Sequence, residues 1–188
     1  MKSSLLLTYF ISCFLLSNTV FSQSKSLTTL PSVIYLSKDK TIIQSTSDSD
    51  NHRILSKAVK AADLEDTLGQ SGPFTIFAPS DSAFSKFSKD ELDELFLSDN
   101  KKQLKALLKY HIVAGNLTAS KILRALCRGE GKASFTTVQG AKINASMIGT
   151  DIILTDSFGN SAKITTADAN QSNGVIHEID SVILPSKI

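Results

Sequence analysis

Three histidines, two cysteines and a Ser80-Asp81-Ser82 cluster are the groups in this chain best suited to nucleophilic or metal chemistry. A serine nucleophile needs a base within hydrogen-bond reach, and a nucleophile elbow needs flanking glycines. Ser80 and Ser82 have neither a neighbouring histidine nor those glycines. The simpler reading is a helix cap, in which side-chain oxygens accept from the free amides of a new helix. His52, His111, His177 and Cys127 have no ligand-like spacing, so neither a metal site nor a cofactor is expected. No glycine-rich phosphate loop or zinc-protease motif is present. An exported hydrolase would need a spatial serine, histidine and aspartate grouping that the linear order does not display.

The histidines read as structural. In the run Val175 to Leu184, alternation puts Val175, His177, Ile179, Ser181 and Ile183 on one face. A histidine on so apolar a face is normally a hydrogen-bonded core residue. His111, beside Tyr110 in an expected short strand, has the same reading, and His52 is expected to be exposed on a first helical turn. Asn173-Gly174 is a turn signature: glycine tolerates unusual backbone angles and asparagine bonds the local backbone. Its alternative role is a recognition loop.

Composition narrows the class. Met1-Lys2, the apolar run Leu5–Leu16 and Val20-Phe21-Ser22 predict a cleaved secretory leader over residues 1–22. The run is shorter than the roughly 20 apolar residues of a bilayer span. The chain carries 20 basic and 18 acidic residues, and the leader removes one lysine, so no strong pull toward nucleic acid is expected. Of the two cysteines only Cys127 outlasts the leader, leaving it free or paired to another chain. The chain stops soon after Pro185 without a hydrophobic tail, so a soluble exported domain is expected. Asn116, Asn144 and Asn170 fit the glycan acceptor pattern, which matters only in a eukaryotic host.

The positioning elements follow from periodicity. Residues 23–39 read as a polar N-terminal arm, and Ser45–Asp50 as a loop rich in caps. Ile54, Leu55, Ala58, Val59 and Ala62 have helical spacing. Phe74–Ala78 is a short buried strand between prolines. Ser88-Lys-Asp-Glu91 has the spacing of a capping box. Helices bearing Leu92, Leu95 and Phe96, then Leu104, Leu107 and Leu108, precede an expected strand Tyr110–Val113. Thr118 caps a further helix. Alternation then predicts strands over 134–139, 141–147, 151–155, 162–166 and 175–184. Helices cluster first and strands later, so the expected class is α+β.

Three segments, in order, resemble the fasciclin (FAS1) domain family: Thr75-Ile-Phe-Ala-Pro-Ser-Asp-Ser-Ala-Phe84, Leu107-Leu-Lys-Tyr-His-Ile-Val-Ala-Gly115 and Asn173-Gly-Val-Ile-His-Glu-Ile-Asp-Ser-Val-Ile-Leu-Pro185. The helix Leu55–Leu64 fits as well, and the resemblance covers residues 40–186. It implies a twisted β-sandwich core flanked by several helices. It also implies a secreted or cell-surface adhesion module that is not an enzyme, meeting extracellular or envelope proteins or polysaccharides. In some animal members an Asp-Ile pair before the last segment takes part in integrin binding. The matching pair here is Asp168-Ala169, where the apolar partner is reduced to a methyl, while the Tyr110-His111 pair is intact. Tyr110, His111, Asp168, Asn173 and Gly174 are thus the expected partner-binding residues. Carotenoid-binding members imply an alternative, a carotenoid or lipid carrier with Phe84, Phe87, Leu92 and Phe96 lining a groove.

Overall fold

A computed structural model describes residues 40–69 and 72–185. The expected leader (1–22) and arm (23–39) lie outside the described residues. The first element is α1 (Ile42–Ser47), where a loop was expected. Thr41 and Gln44 close each other's backbone amides in a capping box, and Thr46 turns its hydroxyl onto the Ile42 carbonyl. Helices α2 (Arg53–Ala61) and α3 (Glu65–Gly69) follow, then β1 (Phe74–Pro79), α4 (Asp81–Phe84) and α5 (Lys89–Leu95). Ser80 caps α4 and Ser88–Glu91 forms the expected box on α5.

Helix α6 (Lys101–Tyr110) keeps Leu104, Leu107, Leu108 and Tyr110 buried, so Tyr110 ends a helix instead of starting a strand. His111 is its C-cap, and β2 is only Ile112–Ala114. After α7 (Ala119–Arg128) come β3 (Lys132–Thr136), β4 (Lys142–Ile148), β5 (Asp151–Thr155), β6 (Ser161–Gln171) and β7 (Gly174–Ile179). Strand β6 runs past the expected Thr166, with two register shifts against β7. Strand β7 stops at Ile179, short of the expected Leu184, yet Val182 and Ile183 remain buried in the segment beyond it.

The strands form one seven-stranded sheet in the order β2-β1-β7-β6-β5-β4-β3, with β1 and β7 parallel and the other pairs antiparallel. Its ends approach each other. Val113 bridges Thr137 just past β3, and the Val138 amide donates to the Ile112 carbonyl at 2.7 Å. The sheet thus curls nearly into a barrel. The class is α+β, as the alternation and helical periods predict.

Two apolar clusters hold this arrangement together. One packs α1, α2, α3 and α6 on the outer face of the sheet through Ile42, Leu55, Leu64, Leu68, Leu104 and Ile76. The other fills the inside of the curl with Phe77, Tyr110, Ile122, Ile143, Leu154 and Ile179. Ile76 and Phe77 enter opposite clusters because successive strand residues point to opposite faces. A strand covered on both sides is predominantly apolar, as β1 is, and its one polar side chain, Thr75, is buried and hydrogen-bonded. Each fully buried Leu, Ile or Phe here contributes about 1.5–3 kcal/mol from area removed from water.

Candidate functional site

Asn173 joins three segments that are remote in sequence. Its Oδ1 accepts from the Ile42 amide at 2.9 Å, its Nδ2 donates to the Leu68 carbonyl at 2.6 Å, and its carbonyl accepts from the Phe74 amide at 3.0 Å. Gly174 follows because nothing larger fits: a Cβ there would lie 1.9 Å from the Phe74 carbonyl oxygen. The pair locks α1, α3 and β1 at the start of β7. Asn173 is buried.

Tyr110 and His111 are also interior. The Tyr110 hydroxyl donates to the Lys142 carbonyl at 2.9 Å, and burial, helped by the charge of Asp156, pushes its pKa up to about 12. The His111 Nδ1 lies 2.9 Å from the Leu107 carbonyl, which can only accept, so Nδ1 carries the proton. Nε2 is then free to accept from the Ile183 amide at 3.3 Å. Protonation would set a second N–H against that amide. Burial holds the ring neutral, lowering its pKa to about 4.

Asp168 occupies a left-handed backbone position (φ 61°) in the irregular stretch of β6. Its Oδ1 accepts from the Ala119 amide at 2.7 Å, completing the first turn of α7. Its own amide donates to His177 Nδ1 at 3.2 Å, while His177 Nε2 donates to the Leu117 carbonyl at 2.7 Å. The imidazole therefore clamps the β2–α7 connection to β6 and β7. Burial lowers its pKa against the opposing pull of the Leu117 carbonyl and Asp168. Thr75 supports the same connection, donating to the Gly115 carbonyl at 2.6 Å and accepting from the Leu117 amide at 2.8 Å. Of the five expected residues, Asp168, Asn173 and Gly174 lie along the β6–β7 turn. The His111 ring meets Ile183, beyond the other end of β7.

A polar cleft of about 250 Å³ opens between Asn51, Ser80, Asp81, Ser82, Thr165 and Glu178. Its two serine hydroxyls pair with each other and not with a base, while the Thr165 hydroxyl donates to Glu178 Oε1 at 2.8 Å. Ser80 Oγ lies 2.7 Å from Ser82 Oγ and accepts from the Ala83 amide. Asp81 accepts from the Ile54 amide and from Arg53, fastening α4 to the start of α2. His52 borders this region, and it is buried where exposure was expected. Its Nδ1 meets Ser49 Oγ at 2.8 Å, and its Nε2 sits 3.7 Å from Glu178 with no hydrogen-bond partner. Burial lowers its pKa, opposed by Glu178 and Asp81.

One structural anchor was invisible to the motif reading. Asp156, buried at the β5–β6 turn, accepts from the amides of Phe158, Asn160 and Leu184 and from the Asn160 side chain. The local signal was there in Asp156-Ser-Phe-Gly-Asn160, a sequence suited to a side-chain-closed turn. Its tie to Leu184 had no local signal. The residues expected to line a carrier groove pack on the outer core cluster instead: Phe84 is buried, and Phe87, Leu92 and Phe96 lie against it. A void in the same cluster, lined by Ile42, Leu55, Leu68 and Leu108 among others and by none of the four expected groove residues, measures about 20 Å³, room for roughly one water.

Comparison with known proteins is consistent over this whole body. The model of the fasciclin domain family matches residues 50–185. Protein sll1483 of Synechocystis sp. is 36% identical over 146 residues, covering 77% of this chain and 73% of its own length. Human periostin is 33% identical over 129 residues, 68% of this chain but 14% of periostin. The solved structure of a FAS1 domain pair from the insect cell adhesion molecule fasciclin I superposes with a TM-score of 0.69 at 20% identity. That likeness covers 79% of this chain and 52% of the pair, and it concerns the fold. Among the described residues, no helix is long and apolar enough to cross a membrane.

Proposed function

This chain belongs to the fasciclin domain family, and from that premise we propose that it is a secreted or cell-surface, non-catalytic binding module. Its partners are extracellular or envelope proteins or polysaccharides, met through the outer surface of a rigid body. One observation supports this reading above the rest. Tyr110, His111 and Asn173, named as contact residues from the resemblance, and His177, read as a core residue, spend their polar atoms on backbone groups inside the fold. What remains for function is the shape and charge of the surface. Asp168 is the exception among the five, half-exposed and held in place by α7. It is the residue of that group we assign to partner contact.

The test is saturable binding of the labelled full chain to intact cells of its source and to their isolated matrix. Asp168→Asn keeps an acceptor for Ala119 and tolerates the left-handed backbone while losing the charge. Binding by the parent, weakened severalfold in Asp168→Asn, supports both statements. Unchanged binding by Asp168→Asn removes that residue from the contact. No saturable binding by the parent removes the module reading itself.

A further inference from the structure

A cleft of about 310 Å³ lies between α6 and the turn that joins β3 to β4, lined by Lys102, Lys105, Ala106, Lys109, Val138 and Gln139. The three lysines recur at three- and four-residue intervals, so they form one stripe along the helix. From Lys102 to Lys109 the helix rises about 10 Å. No carboxylate is among the residues lining the cleft. Asp63, whose field Lys105 also reaches, is already taken by Lys101.

The opposite wall is built as firmly as the helix. Thr137 bridges Val113, its amide and hydroxyl both donate to the Ala141 carbonyl, and the Val138 amide is tied to Ile112. Against this fixed turn, Gln139 Oε1 is buried and has no hydrogen-bond partner. A buried acceptor without a donor is unfavourable, so a turn of the Gln139 side chain toward a hydroxyl or N–H brought into the cleft is favoured. Three cations and an unmet acceptor, side by side, describe a ligand that brings both anionic groups and hydroxyl donors.

We propose that this cleft binds an acidic polysaccharide, a chain of sugars carrying carboxylates at intervals, with Lys102, Lys105 and Lys109 meeting the carboxylates and Gln139 accepting from a sugar hydroxyl. The inference rests on the binding-module reading and names a partner class for it. Spacing agrees, because successive lysines rise about 4.5–6 Å along the helix, on the scale of one extended sugar unit, so the three reach successive carboxylates of a uronate chain. A single-stranded nucleic acid would need aromatic platforms for its bases, and no aromatic side chain lines the cleft. A lipid surface would need a broad apolar face, whereas Val138 is the one large exposed apolar side chain here.

The experiment uses the full chain and polygalacturonate as probe, with neutral dextran and single-stranded DNA as parallel arms, read by titration calorimetry over a range of salt. Lys102→Gln, Lys105→Gln and Lys109→Gln combined should weaken polygalacturonate binding tenfold or more and flatten its salt dependence. The charge-matched combination Lys57→Gln, Lys60→Gln and Lys89→Gln, on exposed positions elsewhere, should stay within twofold of the parent. Gln139→Ala should lower affinity severalfold with the salt dependence retained. Equal losses in both lysine combinations, binding to dextran as tight as to polygalacturonate, tighter binding to DNA, or no polygalacturonate binding by the parent would each overturn the assignment. Persisting cell-surface binding by a chain that ignores polygalacturonate would leave the module reading standing and this cleft without a role.

Discussion

The β6–β7 turn and the β3–β4–β5 meander are both built from short strands and tight turns, yet they are held in opposite ways. At the first, side chains reach backbone groups far away in sequence: Asn173 to Ile42 and Leu68, His177 to Leu117. In the second, neighbouring strands pair in simple hairpin register, and the outward row Ser134, Asn144, Thr155, Ser161 is small and polar. One region closes the fold; the other extends a sheet that is already begun. Substitutions should therefore be costly and non-local in the first region, and cheap in the second.

The largest expected effect is at Gly174. An alanine there would place its Cβ 1.9 Å from the Phe74 carbonyl oxygen, and relief requires separating β7 from β1. A loss above about 4 kcal/mol, or failure to fold, is expected in urea denaturation. Next comes Asn173→Ala, which leaves the Ile42 amide and the Leu68 carbonyl buried without this partner. Roughly 3 kcal/mol should be lost. A cost under 1 kcal/mol for either change would erase the contrast between the regions.

Acid should act on the same kind of long-range tie, at both ends of β7. The unfolded His111 ordinarily titrates near 6.5, and the folded ring near 4. Between those values the unfolded chain binds the extra proton, so stability present above pH 6.5 drains away as pH falls toward 4. His52 and His177 are lowered as well and add in the same direction. A loss of roughly 3 kcal/mol from His111 alone is expected across that window, and a His111→Gln variant should show a flatter curve. A curve unaltered by that variant would mean the ring is not held neutral.

Much of this division was legible before the fold was seen, because motif residues announce backbone requirements. Asn173-Gly174 read as a turn, and Ser80 and Ser88 as caps; those are local demands that sequence spells out. Helix α1 was missed although Thr41-Ile-Ile-Gln44 carries its box, because the run of serines after it looked like a loop. Tyr110 and His111 read as a strand because the helical stripe of Leu104, Leu107 and Leu108 was ended too early. In fact the His111 ring bonds the Leu107 carbonyl one turn back, closing the helix with a side chain. The lysine cleft was not foreseen at all. Its far wall, Val138-Gln139, comes near α6 only because the sheet curls, and no local pattern encodes that closure.

The smallest effect tests the comparison most sharply, since it repeats the Gly174 substitution in the meander. Gly149, in the β4–β5 turn, has φ 61°, and a Cβ built there meets nothing within 4 Å. Only the left-handed backbone then resists a side chain, at about 1–2 kcal/mol for alanine. Gly149→Asn should cost still less, because asparagine tolerates that conformation. If Gly149→Ala proved as damaging as Gly174→Ala, crowding could not be the cause at Gly174. Backbone angle would then govern both turns, and the long-range ties of Asn173 would lose their special place in closing the fold.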